Sequence, residues 1–165
     1  MRGATLIVRG TQILIVCLLV AMATLIGGCR HGWLPPGDNR PSDEPLYLAK
    51  LQYTNGNYGL AEKYFRQAVE SNGNSVDAWL GLAASYDRLK RFDLADRAYD
   101  NVVRLVGYTP TVLNNLGYSN LLRGDLVQAR KYLREAAAKD PNNPHIQYNI
   151  HLMRTWAQSH GGAVQ

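Results

Sequence analysis

Residues 76–109 read VDAWLGLAASYDRLKRFDLADRAYDNVVRLVGYT, and this stretch decides the fold. Trp79, Leu82, Ala83, Tyr86 and Leu89 recur at intervals of three and four, the spacing of one face of a helix. Ala95 and Tyr99 lie on a second such face. Stepping outward by 34 residues finds the same pattern again. Leu82 is matched by Leu48, Leu116 and Ile150; Ala95 by Ala61 and Ala129; Tyr99 by Phe65 and Leu133. Three columns that hold one period without slippage mark an array in which each unit buries its apolar face against its neighbours. The predicted fold class is therefore an all-α solenoid.

Seven helices are predicted, over 43–55, 58–71, 76–89, 92–105, 110–123, 126–139 and 144–158. Thr109-Pro110 and Asn143-Pro144 each set a capping side chain before a first-turn proline, whose missing N–H has no intrahelical partner to lose. Ser42 and Ser75 can cap at equivalent places. Gly56-Asn57 and Gly124-Asp125 break the chain inside the first and third units. Lys90-Arg91-Phe92-Asp93 must do so in the second without a glycine.

The run Trp79-x2-Leu82-Ala83-x2-Tyr86 followed by Ala95-x3-Tyr99 resembles the signature of the tetratricopeptide repeat (TPR). The third unit supplies Leu116-Gly117, Ala129 and Pro141; the first supplies Leu48-Ala49, Ala61-x3-Phe65 and Ala68. The resemblance places three helix-turn-helix repeats at 42–75, 76–109 and 110–143, a closing, solvated cap at 144–158 and a disordered tail at 159–165. Ala49, Ala83 and Gly117 should lie where the first helix of each pair crosses the second, facing Ala61, Ala95 and Ala129. Phe65, Trp79, Tyr86 and Tyr99 should fill the space around them, so Trp79→Ala should leave a cavity costing ~3–5 kcal/mol. Leu113, Asn120 and Leu133 depart from the signature in the third repeat, as do Pro45 and Gln52 in the first.

The N-terminus has another character. Arg2 and Arg9 precede an apolar run from Thr11 to Ile26, then Gly27, Gly28 and Cys29. A basic start, a short apolar core and small residues before a cut have the form of a secretory signal. Ile26-Gly27-Gly28-Cys29 resembles a bacterial lipobox, which implies cleavage after residue 28 and a diacylglycerol thioether and N-acyl chain on Cys29. A plain cleaved signal and an uncleaved anchor are the alternatives, although the apolar run is short for a span of ~20 residues. No other cofactor is expected. The segment 29–42, with Pro35-Pro36, reads as an extended tether. Two of the eighteen basic residues leave with the signal and all thirteen acids stay, so the mature charge is +3. That mild, interspersed charge gives no reason to expect nucleic acid. Arg30 after Cys29 departs from the aspartate that retains enteric lipoproteins at the inner membrane, which implies outer-membrane sorting.

In the resembled family the first helix of each pair lines a concave groove. Carried over by register, the groove residues are Leu46, Lys50 and Tyr53; Leu80, Asp87 and Arg88; Asn114, Tyr118 and Leu121; and Tyr148 from the cap. The mixture of tyrosines, leucines and an amide suits a protein segment rather than a small-molecule substrate. Asn114 and Tyr118 are the strongest candidates for reading a peptide backbone. Leu46 and Lys50 do not supply the lysine and asparagine that a C-terminal carboxylate clamp needs. Catalysis and metal binding find little support: His145 and His151 point to different helix faces, and Asp93 and Asp96 sit beside Arg97 as a salt-bridged surface would.

A narrower resemblance rests on Asp87-Arg88-Leu89, Phe92 to Tyr99, Leu113-Asn114-Asn115-Leu116-Gly117-Tyr118 and Leu122-Arg123-Gly124-Asp125. These look like TadD-family lipoproteins of the Tad (Flp) pilus assembly system. The resemblance implies a pilotin-like adaptor, lipid-anchored to the periplasmic face of the outer membrane, that binds the pilus secretin or another assembly component. A general envelope scaffold, for outer-membrane protein assembly or peptidoglycan enzymes, stands as the alternative.

Overall fold

The computed structural model describes residues 43–159. The lipobox, the tether, Ser42 and residues 160–165 lie outside the described residues. Among the described residues seven helices follow one another: α1 (Asp43–Thr54), α2 (Tyr58–Ser71), α3 (Val76–Arg88), α4 (Phe92–Val106), α5 (Pro110–Leu122), α6 (Leu126–Lys139) and α7 (Pro144–Ser159). Each starts where the apolar pattern places it and ends within one residue of the expected position. The pairs α1–α2, α3–α4 and α5–α6 pack as antiparallel hairpins, and α7 closes on α5 and α6. The first helices also meet in series, α1 with α3, α3 with α5 and α5 with α7. Among the described residues there is no strand.

Capping follows local chemistry. Ser75 Oγ accepts from the Ala78 N–H, Thr109 Oγ1 from the Val112 N–H and Asp125 Oδ1 from the Gln128 N–H. Each satisfies a first-turn donor that has no intrahelical partner. The Asn143 side chain accepts from the His145 N–H instead, one residue nearer.

The turns inside the three pairs are copies of one another. The N–H groups of Gly56, Lys90 and Gly124 donate to the carbonyls of Tyr53, Asp87 and Leu121, each at 3.0 Å. Those of Asn57, Arg91 and Asp125 reach back to Gln52, Tyr86 and Asn120 at 2.9 Å. This is the Schellman end of a helix, which needs a left-handed residue at its turning point. Gly56 and Gly124 take φ of 77° and 80°, and Lys90 takes 58°. The turn that lacked a sequence signal is therefore the same turn, with lysine carrying the strain that glycine avoids.

The small residues sit at the crossings. Ala49, Ala83, Ala61, Ala95 and Ala129 are completely buried. A Cβ on Gly117 would stand 2.6 Å from Leu133 Cγ, so the glycine is what admits the leucine. Leu113 and Leu133, departures from the signature, are among the largest fully buried side chains. Gly81 makes a second close approach that the period does not announce: a Cβ there would collide with the Phe65 ring of the preceding repeat. Phe65 and Tyr99 are buried as expected, but Trp79 and Tyr86 are only partly so. The Trp79 indole lies at the edge and donates to the Gly73 carbonyl at 2.8 Å. Its truncation should thus cost less than the 3–5 kcal/mol that a fully enclosed aromatic side chain would.

Two substitutions separate these effects. Lys90→Gly should raise stability by about 1 kcal/mol, by relieving the left-handed strain. Gly81→Ala should lower it by ~1–3 kcal/mol, by overpacking Phe65. Thermal melts of both proteins read the opposite signs directly.

Candidate functional site

A concave pocket of about 400 Å³ opens on the face built by the first helices. Tyr53 of α1, Ala84 and Asp87 of α3, Thr111, Asn114, Asn115 and Tyr118 of α5, and His145, Tyr148 and Asn149 of α7 line it. Lysine and arginine are absent from the lining. Its polar wall is made of amides. Asn149 Nδ2 donates to Asn114 Oδ1 at 2.9 Å, which holds the Asn114 amide in one orientation and leaves its own N–H pair for a ligand. Tyr148 stands 64% exposed at the mouth.

Beneath the pocket lies a buried polar cluster. Asp87 is 3% exposed. Its carboxylate accepts from the Tyr99 hydroxyl at 2.9 Å and the Ser119 hydroxyl at 2.7 Å. Arg123 stands 3.9 Å from it. The same guanidinium donates to both oxygens of Asp96, at 3.0 and 2.8 Å, and to Ser119 Oγ at 3.0 Å, and it lies over the Phe92 ring. Burial pushes the Asp87 carboxyl above the ordinary aspartate value, against the opposing pull of its hydrogen bonds from Ser119 and Tyr99 and of the Arg123 charge. Burial, with Asp87 adjacent, pushes the Tyr99 hydroxyl well up.

The register explains why this cluster is here. Residues 53, 87 and 121 share one repeat position, and 65, 99 and 133 share another. The outer repeats fill the two positions with Tyr53 and Phe65, and with Leu121 and Leu133, packed in apolar clusters. The middle repeat fills them with a hydrogen-bonded pair, Asp87 and Tyr99.

Of the expected groove residues, Tyr53, Asp87, Asn114, Tyr118 and Tyr148 come together around the pocket. Two of the expected residues turn inward. Leu121 turns into the core against Ala129, Leu133 and Met153, and Asp87 contributes only to the pocket floor because its oxygens are already engaged. Both occupy the position that faces the second helix. Leu46 and Leu80 pack against the first core cluster, outside the pocket lining. Lys50 is paired with Asp77 at 2.7 Å on the surface. Arg88 lies 4.6 Å above the Tyr58 ring and donates to the Tyr118 hydroxyl at 3.4 Å, joining the first and third repeats across the groove. Asp96 pairs with Arg123 of the next repeat rather than with its neighbour Arg97. The sequence reading missed Asn115 and Asn149. Both stand one residue after the fifth repeat position that picks out Asn114 and Tyr148, and that adjacency was the available signal.

Comparison with known proteins settles the family. The tetratricopeptide repeat family model matches residues 46–104 and again 85–144. The chain belongs to the tetratricopeptide repeat family. Its TPR fold is close to that of the Arabidopsis OM64 TPR domain, with a TM-score of 0.61 and 16% identity over 69% of this chain and 94% of that one. The first TPR domain of human RPAP3 gives a TM-score of 0.62 and 17% identity over 72% and 93%. The Yersinia enterocolitica type III secretion chaperone SycD, in complex with a peptide of the translocator YopD, gives 0.58 and 22% identity over 71% and 89%. At such identities the likeness is one of fold. No curated protein matches the chain. A TPR array is a protein-interaction scaffold, and its recognition surface is sought on the concave face.

The raised Asp87 pKa has a definite sign. The folded state holds this proton more tightly than the unfolded chain, so Asp87 contributes stability that is fully present below its unfolded value and is lost as pH rises through the folded one. The stability of the native protein minus that of Asp87→Asn should therefore fall as pH rises through that interval. Ser119→Ala should cost about 2 kcal/mol by removing a donor from a buried charge. It should also move the Asp87 carboxyl carbon titration, followed by NMR, further upward. A downward movement would contradict the hydrogen bond's role.

Proposed function

We propose that this TPR protein is a lipid-anchored adaptor whose concave pocket holds an extended segment of a partner protein. The observation that carries this reading is the pocket lining, tyrosines and oriented amides with no lysine or arginine. Tyrosines give rigid contact area at low entropic cost, and amides satisfy the N–H and C=O groups of a peptide backbone. The same lining disfavours capture of a C-terminal carboxylate, for which Lys50, held by Asp77, is the nearest candidate in sequence terms.

The finer identity rests on sequence resemblance. Ile26-Gly27-Gly28-Cys29 supports lipidation at Cys29, and the stretch 87–125 supports a TadD-like place in Tad (Flp) pilus assembly. The partner is then the pilus secretin or a neighbouring component, on the periplasmic face of the outer membrane. SycD, a secretion chaperone seen with a translocator peptide, offers a parallel for a TPR fold serving export machinery. Tethering adaptor and partner to one membrane raises their effective concentration, so a modest groove affinity suffices.

Cys29→Ala should fold normally, lose acyl labelling and leave the membrane fraction, and secretin multimers should fall in the same cells. Tyr148→Ala, at an exposed position, should weaken binding of the secretin segment by ~1–2 kcal/mol without changing the thermal melt. Normal multimers with the unanchored protein would remove the anchor from the account. Site-specific crosslinking from Tyr118 to some other envelope protein would replace the secretin.

A further inference from the structure

A crevice of about 300 Å³ opens at the seam between the second and third repeats, in the middle of the array, and shares only Tyr99 with the concave pocket. Asp96 and Asp100 line it from α4, Tyr108 from the α4–α5 turn, Asn120 and Arg123 from α5, and Tyr132 from α6. Asp100 and Tyr108 are exposed. Arg123 is the one arginine of the lining, and it is committed to Asp96 through two hydrogen bonds. Lys131 approaches the Tyr132 ring at 5.8 Å and Lys139 donates to the Tyr108 carbonyl, both from outside the lining. Burial pushes the Tyr132 hydroxyl above its ordinary value, and Tyr108, Asp96, Glu135 and Asp100 push it further.

The repeat register shows what such a place holds elsewhere in the same chain. One period earlier, Asp96 corresponds to Glu62, Asp100 to Arg66 and Asn120 to Tyr86. At that first boundary Arg66 pairs with Glu62 at 3.5 Å, and Arg91 of the following repeat meets Glu62 at 3.3 Å. Burial and Glu62 push the Tyr86 hydroxyl up, while the charges of Arg66 and Arg91 pull it down. One acid thus stands with two arginines at the first boundary, and two acids with one arginine at the second. Tyr86 reaches over the first core cluster, whereas the Asn120 amide donates to the Leu116 carbonyl at 2.8 Å and stays on its own helix. The crevice therefore lies where the first boundary carries a ring and a guanidinium of its own, and Tyr108 and Tyr132 stand at its sides in place of Asn74 and Ala98.

We propose that the crevice between the second and third repeats binds an arginine side chain of a partner protein, its guanidinium paired with Asp100 and laid against Tyr108 and Tyr132. A planar guanidinium suits this lining because it can meet a carboxylate with two parallel N–H bonds and stack on a tyrosine ring at once. The Asn120 side-chain carbonyl oxygen offers one further acceptor. The TPR protein then has two separate recognition surfaces. The concave pocket takes an extended segment, and the crevice takes a basic anchor at the seam.

The test titrates the full chain with a capped Gly-Arg-Gly peptide and with its citrulline counterpart, which keeps the shape and loses the charge. NMR of the tyrosine rings and of the Asp100 carboxyl carbon reads the binding. The arginine peptide should shift Tyr108, Tyr132 and Asp100 saturably and weaken with salt, and the citrulline peptide should not bind. Asp100→Asn should weaken the arginine peptide about tenfold. Asp100→Arg, which gives the second boundary the cation of the first, should abolish binding. Absence of a saturable shift, equal binding of the citrulline peptide, or undiminished binding by Asp100→Asn overturns the proposal. Loss of binding in Tyr148→Ala would place the peptide in the concave pocket and overturn it too. Spermidine bound as tightly as the peptide would assign the crevice to a diffusible polyamine instead.

Discussion

One buried carboxylate, Asp87, sets the terms for the rest of the structure. Removing an ion of this size from water costs several kcal/mol, and only well-placed donors and a nearby cation offset that cost. Tyr99, Ser119 and Arg123 are those groups, and they come from both sides of the boundary between the second and third repeats. That boundary needs them. α2 packs broadly against α3, whereas α4 touches α5 only sparingly. The seam therefore adds a directional polar cluster to the apolar contact of Leu116, where the first boundary is closed by the broader packing of α2 on α3. The concave pocket lies directly on this cluster, with Asp87 and Tyr99 in its floor. Directional bonds fix the relative setting of α3 and α5, and so fix the distance between the pocket's walls.

The architecture was legible in the sequence because solenoid packing is local and repeated. A column of small residues, Ala49, Ala83 and Gly117, can mean little else when it recurs with Ala61, Ala95 and Ala129. The third repeat shows the limit of reading a signature literally. Leu113 and Leu133 break the motif, but they fill the same volume because Gly117 withdraws its side chain from Leu133. Lys90 shows a second limit. Turn chemistry favours glycine there, yet the register of the helices imposes the left-handed turn on whatever residue the chain supplies.

The candidate site was legible in part, and the misplaced residues have a common cause. Asn114, Tyr118 and Tyr148 do reach the concave pocket, whereas Leu46, Leu80 and Lys50, at equivalent places in the first two repeats, do not. The position shared by Tyr53, Asp87 and Leu121 meets the second helix of its own pair, and only Tyr53 and Asp87 still reach the pocket from it. That geometry turns Leu121 into the core and Asp87 into the seam. Long-range polar pairing was not legible at all. Arg123 could have met Asp125 or Asp96 on spacing alone, and only the stacking of repeats selects Asp96. The Asn114–Asn149 bond likewise spans two helices and shows no sequence signal beyond the period itself.

The central claim is that the Asp87 cluster holds the third repeat and α7 onto the first two. Amide hydrogen exchange of the native protein and of Asp87→Asn, compared helix by helix, tests it most directly. We expect the variant to lose protection across α5, α6 and α7 while α1 and α2 keep theirs, as a cooperative unit opens at the seam. Equal loss across all seven helices, or unchanged protection in α5 to α7, would contradict it.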